Sequence, residues 1–274
     1  NFMTTLSLAD IVRMTAITQS SASAFLTCLR NPDFPNLTMS DGVVTWAMRH
    51  RTGLAVATNI VACGLCAKQL HDTPADRTHA HSCPKMKRRE GTQRHDGIRD
   101  LVTEQCRRVG MPTFIEQAPD RVGQPRLRPD IIIHFADQPV MADVACSHPC
   151  TASYLARGLK ACLKVPTVIA GAKDTKYKPL AAAEGCRFLP LVLDSYGRIH
   201  KDFIELHSLI AESAVNSALI TRAEVPGYKR LLLAETSVRL QRGNGLIYDT
   251  FARRSIRLGT TATSAARLVG SVAA

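Results

Sequence analysis

Two short hydrophobic runs set close together, "DIIIHF" and "VMADVAC", constrain the fold of this chain more than any other feature. Both are short and hydrophobic and flanked by turn residues, which is typical of buried strands. The turn "ADQP" between them predicts a hairpin that is buried on at least one face. Asp130 opens the first run and Asp143 lies within the second, with twelve residues between them. We therefore expect the hairpin to bring two carboxylates to one end of a sheet.

The chain after the hairpin alternates helical and strand patterns. A stretch of small residues is followed by "VPTVIAG", by a helix near "KDTKYKPLAAAEG" and by a further strand, "RFLPLVLDS". Two helices with a 3.6-residue apolar period complete it, "DFIELHSLIAESAVNSALI" and "YKRLLLAETSVRLQRGNG". This order predicts an α/β core.

The first part of the chain reads as mainly helical. Residues from Ser7 to about Arg30 are apolar at helical spacing, with Ser7 as a plausible N-cap. The segment "DGIRDLVTEQCRRVG" predicts an amphipathic helix capped by Asp96 and stopped by Gly110. A loop rich in Pro and Gly follows, so we place the domain boundary between residues 111 and 112 and predict domains 1–111 and 112–274.

The charge balance favours a polyanionic partner. Lys and Arg number 35 against 23 Asp and Glu, a net charge of +12 among 274 residues. Such a surface attracts nucleic acid through phosphate neutralisation and counterion release, although many basic proteins bind none.

The apolar runs and the cysteines indicate the kind of cellular compartment in which the protein works. No stretch has the length of a membrane-spanning helix, and the first residues do not resemble a signal peptide, so we expect a soluble protein with no membrane partner. The sequence begins with Asn1, which suggests a piece of something longer. Nine cysteines, an odd number, argue for reduced thiols rather than a disulfide framework.

Cysteine and histidine crowd into one segment. Cys63 and Cys66 have the two-residue spacing that lets two thiolates reach one zinc ion, and His79 with Cys83 would complete a tetrahedral set. His81 lies too close to Cys83 for ordinary helical geometry, so we favour His79. The alternatives are buried thiols with solvated histidines, or a redox pair.

A basic run follows this zinc cluster. It comprises Lys85, Lys87, Arg88, Arg89 and Arg94. A zinc-stabilised segment would hold these side chains in a fixed position against phosphates. The alternative is a solvated charged face.

The two aspartates suggest a second kind of metal site. Carboxylates are hard oxygen ligands suited to Mg²⁺, and such an ion can activate water for hydrolysis of a phosphodiester. The segment "KDTKY" offers Lys173, Lys176 and Tyr177 on a helix expected beside the same strands. A lysine there would add positive charge at the scissile phosphate.

The order of these elements resembles the C-terminal part of site-specific non-LTR retrotransposon polyproteins, which carry a restriction-like endonuclease of the PD-(D/E)XK class. The likeness covers about half the chain, from Cys63 to Gly197. In that family a CCHC zinc knuckle precedes an Arg-His dipeptide, then a Pro-Asp pair, a second acid and a displaced lysine with a tyrosine four residues on. The matching residues here are Arg94, His95, Pro129, Asp130, Asp143, Lys173 and Tyr177.

The resemblance implies a restriction-endonuclease-like core, a mixed sheet flanked by helices, preceded by a helical zinc-knuckle segment. It implies a DNA endonuclease with structural zinc and catalytic Mg²⁺ or Mn²⁺, which nicks target DNA in the nucleus and leaves a 3′ hydroxyl that primes reverse transcription. Its partners would be double-stranded DNA, the element RNA and a reverse transcriptase domain of the same polyprotein. The implied DNA contacts are Lys85, Lys87, Arg88, Arg89, Arg94, His95 and Arg128.

The chain departs from the family pattern at the lysine. Ala145 stands two residues after the second acid, where the simplest form of the motif has lysine. Lys173 is the first choice for the displaced lysine, with Lys176 and then Lys160 as alternatives. The departure also keeps open a nucleic-acid-binding or assembly module that retains the nuclease fold without cleavage. A structural protein that does not bind DNA is a third hypothesis.

Overall fold

We describe the fold from a computed structural model. It covers residues 6–27, 35–54, 60–71, 73–116 and 127–270, without the side chains of residues 35, 74, 75 and 256–270. Within these residues the chain is a mixed α/β protein, a four-stranded mixed sheet flanked by helices, as the sequence predicts.

Seven helices precede the sheet in the described residues. They are α1 (Leu8–Ile17), α2 (Ser20–Ser23), α3 (Asp41–Thr52), α4 (Pro74–Arg77), α5 (His79–Ser82), α6 (Pro84–Lys87) and α7 (Glu90–Arg108). The strands are β1 (Thr113–Ile115), β2 (Ile131–His134), β3 (Pro139–Ser147) and β4 (Arg187–Asp194). Between β3 and β4 lie α8 (Ala152–Leu155), α9 (Leu159–Leu163) and α10 (Val165–Ala183). After β4 come α11 (Lys201–Asn216) and α12 (Val225–Gly270).

The sheet has the strand order β1-β2-β3-β4. Strands β1, β2 and β3 are antiparallel neighbours, and β4 runs parallel to β3. The predicted hairpin is therefore confirmed as β2 and β3, and the predicted strand near residue 190 as β4. A parallel pair needs a long crossover, and helices α8 to α10 provide it.

Helices cover both faces of the sheet. On one face, Ile98 and Val102 of α7 and Phe203 of α11 pack with the inward residues of the strands, among them Ile131 and Val144. On the other face, Tyr177 and Ala181 of α10 pack against Met141 and Phe188. The segment "VPTVIAG" begins α10. The result is a three-layered arrangement with the sheet in the middle.

The first predicted helix is shorter than expected. Ser7 caps α1 by accepting a hydrogen bond from the Asp10 amide, as predicted, but the helix ends at Ile17 and a short helix and a 3₁₀ turn follow. The serines and threonines after Ile17 compete for backbone hydrogen bonds and so favour a break.

The predicted start of the next long helix is wrong. Helix α7 begins at Glu90, so Asp96 lies inside it rather than at its N-cap. Gln93 and Arg94 are good helix formers, and they allow the helix to extend backwards into the basic run. Gly110, with a φ of 79°, follows the end of α7 as predicted.

Helix α12 packs across the first part of the chain. Its residues Val238 and Ala234 pack with Phe25 and Ala47, and Phe251 lies in the core that contains the cysteine cluster. The boundary at residues 111 and 112 stays a prediction. Among the described residues no helix combines the length and apolar character that crossing a membrane requires.

Candidate active site and metal centre

The register of the hairpin places the two aspartates opposite each other. Ile131 pairs with Ala142 in the antiparallel ladder, so the next pair along the same register is Asp130 with Asp143. Side chains alternate between faces of a sheet, which puts Asp130 with Ile132 and Asp143 with Met141. Ile132 and Met141 both belong to the core beneath α10. The alternation places the Asp143 side chain on the α10 face, whereas Asp130, one residue before β2, turns its carboxylate to His95 of α7 and to the Val144 amide.

Asp130 is fixed by two hydrogen bonds to one oxygen. Its Oδ2 accepts from the Val144 amide at 2.6 Å and lies 2.9 Å from Nε2 of His95. The hydrogen bond to Asp130 raises the pKa of His95 to about 8, and Asp96, 3.2 Å from the other ring nitrogen, adds to the effect. No described residue donates to the other oxygen of Asp130.

Asp143 is paired with a lysine from the crossover. The ammonium of Lys173 forms an ion pair with Oδ2 of Asp143, which is buried, whereas the Lys173 side chain is 27% exposed. The lysine therefore reaches the acid from α10 rather than from the strand position of Ala145. Lys160 is exposed on α9.

Tyr177 lies on α10, one turn beyond Lys173. It is buried, and its hydroxyl donates to the Arg128 carbonyl at 3.2 Å. Burial, followed by the charge of Asp143, raises the pKa of Tyr177, so the phenol stays protonated. The Lys176 ammonium lies 2.9 Å from the Tyr177 hydroxyl, but Lys176 itself is exposed.

The second site is formed by four residues of the zinc cluster. The ligand atoms of Cys63, Cys66, His79 and Cys83 all lie within 4.8 Å of one another. The two sulfurs of Cys63 and Cys83 are 3.9 Å apart, and the Cys66 sulfur is 3.3 Å from Nε2 of His79. This group could hold a metal ion such as zinc, and it contains His79 rather than His81, as predicted.

The separations of 3.9 and 3.3 Å are close to those in tetrahedral zinc sites. Bond lengths of about 2.3 Å to sulfur and 2.0 Å to nitrogen put neighbouring ligand atoms about 3.5–3.8 Å apart. Cys63 and Cys83 are fully buried, and burial raises the pKa of Cys63 to about 12. Thiols crowded in this way gain a partner if a metal ion displaces their protons. The eight cysteines in the described residues are all free.

The local fold positions these ligands. A tight turn links Cys63 to Lys68, with the Cys63 amide donating to the Lys68 carbonyl at 2.8 Å. Lys68 in turn pairs with Asp76 at 2.6 Å. At Gly64 a Cβ atom would lie 2.4 Å from the carbonyl oxygen of Arg254 in α12. Glycine is therefore required there, because the turn meets the α12 backbone directly.

The predicted DNA contacts fall into two groups. Lys85, Lys87, Arg88 and Arg89 are exposed on and just after α6. Arg128 is half exposed and paired with Glu116 at 2.9 Å. Arg94 differs, since it is only 6% exposed and lies between α5 and α12. His95 contacts Asp130, as described above.

A groove of about 620 Å³ runs past these elements. Its lining includes Lys87, Arg94 and His95, together with Ser147 and His148 at the end of β3. His95 also contacts Asp130, so the groove lies beside the acid pair.

Sequence reasoning did not single out the histidines deep in this groove. His148 and His81 are buried, and their rings are 5.2 Å apart. A signal for His148 existed, because it follows the same strand that carries Asp143. The sequence pattern indicates His81 only as an alternative zinc ligand.

Comparison with known proteins leaves the chain without a family assignment. No protein-family model matches it, and no curated protein matches it.

Proposed function

We propose that this chain is a divalent-metal-dependent DNA endonuclease with a restriction-endonuclease-like core. The observation that carries the proposal is that a lysine from the crossover pairs with one of two aspartates that the hairpin register places opposite each other. Asp130 and Asp143 are opposite each other in the extended β2–β3 register, and Lys173 reaches Asp143 from α10. Their arrangement suits hydrolysis of a phosphodiester.

The two carboxylates would hold Mg²⁺ or Mn²⁺. Both provide hard oxygen ligands, and Asp130 keeps one oxygen to which no described residue donates. His95 and the Val144 amide hold the other oxygen and so fix the direction of the carboxylate. A bound divalent ion lowers the pKa of water and neutralises charge on the phosphate.

Lys173 would act as the displaced catalytic lysine. Its partly exposed ammonium neutralises Asp143 when no substrate is present, and it would turn to a phosphate oxygen when DNA binds. Tyr177 stays protonated and anchors the segment around Arg128 through its hydroxyl. Lys176 is the alternative for the lysine role.

The proposal also includes the biological role of the endonuclease and its partners. The order of the zinc cluster, the Arg-His dipeptide, the acids and the lysine supports a retrotransposon endonuclease that nicks target DNA in the nucleus to prime reverse transcription. The exposed lysines of α6 and the arginines just after it would bind double-stranded DNA. The element RNA and a reverse transcriptase domain of the same polyprotein would be further partners.

A second candidate is a DNA-binding module without cleavage. The ion pair of Lys173 with Asp143 favours it, because this pair satisfies the acid without a metal ion. Ala145 in the usual lysine position favours it too.

The test is a plasmid nicking assay with zinc-loaded protein. The endonuclease converts supercoiled plasmid to open circles with Mg²⁺ or Mn²⁺, and chelation of the divalent ion stops the reaction. If plasmid stays supercoiled while salt-sensitive retardation of DNA persists, the binding module is the correct reading. If neither nicking nor retardation of DNA is observed, the protein has a structural role.

A further inference from the structure

Arg94 is a buried cation without an anion. Its guanidinium lies 3.2 Å from Nδ1 of His81 and donates to Oδ1 of Asn244 at 2.9 Å. No carboxylate among the described residues pairs with it, and its Nε has no acceptor there. A buried charge is costly unless it is paired, so this site lacks a negative partner.

His81 adds a second donor without an acceptor. A guanidinium has donors only, so Nδ1 of His81 must accept from Arg94. The ring proton therefore lies on Nε2, which is buried and has no partner among the described residues. A buried N–H without an acceptor is costly, so this atom also lacks a partner.

The neighbouring strand end has unpartnered atoms as well. Nε2 of His148 and Oγ of Ser147 are buried without a hydrogen bond to any described residue. The Nδ1 atom of His148 lies 2.7 Å from Oγ of Ser195, which fixes the ring. His81, Arg94, Ser147 and His148 all line the same groove, and the exposed Lys87 lines it too.

A structural role for Arg94, in which it holds α12 in place, explains only part of this arrangement. A Cβ atom at Gly243 would lie 2.4 Å from Cγ of Arg94, so α12 leaves space for the arginine, and Asn244 binds it. Packing accounts for these contacts. It does not account for the unpartnered Nε of Arg94 or Nε2 of His81.

We propose that this end of the groove is a phosphate subsite, in which Arg94, His81 and His148, with Lys87 at its rim, bind a backbone phosphate of a nucleic-acid strand. Guanidinium and imidazole N–H groups are strong donors to phosphate oxygens, and a phosphate provides the charge that Arg94 lacks. The identification of the strand as a DNA substrate rests on the proposed function.

The subsite lies apart from the acid pair. Ser147 is four residues beyond Asp143 on β3, which is about 13 Å along an extended strand. The subsite would hold a flanking phosphate and set which phosphate reaches the acids.

The direct test is a titration of zinc-loaded full-length chain, labelled with ¹⁵N-histidine, with inorganic phosphate. We expect saturable shifts of the Nε2 resonances of His81 and His148, while the exposed His134 serves as an internal reference. No shift at His81 and His148, or an equal shift at His134, would overturn the subsite.

A second measurement links the subsite to nucleic acid. Lys87→Met should reduce the slope of log affinity against log salt by about 0.9 for duplex DNA in chelator, as expected for one lost phosphate contact. Lys201→Met, an exposed lysine on α11, is the control and should leave the slope unchanged. An unchanged slope for Lys87→Met would remove Lys87 from the site.

The two proposals can fail separately. Duplex DNA and duplex RNA of the same sequence, measured in parallel, identify the source of the phosphate. Phosphate binding without nicking would sink the endonuclease but support the subsite. Nicking without phosphate shifts at His81 and His148 would contradict the subsite but support the endonuclease.

Discussion

The zinc cluster and the acid pair differ in whether their ligand atoms have partners within the protein when no metal ion is bound. In the zinc cluster four ligand atoms crowd together, and buried thiols face each other with little else to bind. In the acid pair each carboxylate already has a cationic or hydrogen-bonding partner, Lys173 or His95. The comparison suggests that zinc would stabilise the fold, whereas the divalent ion proposed for the aspartates would serve chemistry.

Loss of the zinc cluster should have the largest effect. Cys66→Ser removes one of four ligands, and zinc binding in small structural sites is worth on the order of 10 kcal/mol. We expect loss of bound zinc and a much lower melting temperature, measured by metal analysis and calorimetry. Cys186→Ser, outside the cluster, is the matched control. Full zinc content in Cys66→Ser would contradict the assignment.

Loss of an aspartate should leave the fold intact. Asp143→Asn should reduce the nicking rate at least about a hundredfold, equivalent to about 2.7 kcal/mol, because a metal ligand is lost. Zinc content and DNA retention should not change. Asp137→Asn, in the exposed turn of the same hairpin, is the control. Unimpaired nicking by Asp143→Asn would remove this residue from the site.

Loss of the lysine should have a smaller effect than loss of an acid. Lys173→Met removes a positive charge but no metal ligand, so we expect nicking to fall about tenfold to a hundredfold with melting nearly unchanged. Lys178→Met, an exposed lysine on the same helix, is the control. If Lys176→Met impairs nicking and Lys173→Met does not, the catalytic lysine is Lys176.

His207 lies in neither metal site, so its effect on stability can be measured independently of metal binding. Burial lowers the pKa of His207 to about 3, so the unfolded chain binds one more proton than the folded chain between about pH 3 and 6.5. Stability therefore falls as the pH drops through this window. His207→Gln should reduce the slope by about 1.4 kcal/mol per pH unit near pH 5, measured by denaturant unfolding of both proteins. Equal slopes would contradict the burial of a neutral His207.

The acid pair illustrates what the sequence could and could not predict. Two short apolar runs around the turn "ADQP" were enough to predict the hairpin, and the observed register places Asp130 opposite Asp143. Lys173 comes from a helix thirty residues beyond Asp143, so its approach depends on the packing of the crossover, and only the family resemblance pointed to it.

The burial of Arg94 could not be read from local pattern. The basic run around it predicts an exposed face, but Gly243 and Asn244, about 150 residues away, make room for the guanidinium and bind it. Asp96 was misread as a helix cap for a related reason, since the helix continues back through residues that pack against α12. Long-range contacts therefore determine both the burial of Arg94 and the position of Asp96 inside the helix.

The most direct test of the central claim is a count of divalent ions at the acid pair. Zinc-loaded protein titrated with Mn²⁺ and followed by electron paramagnetic resonance should bind one Mn²⁺ with the wild-type chain, and this binding should be lost in both Asp130→Asn and Asp143→Asn. Unchanged Mn²⁺ binding in both variants would show that the two aspartates do not share a cation.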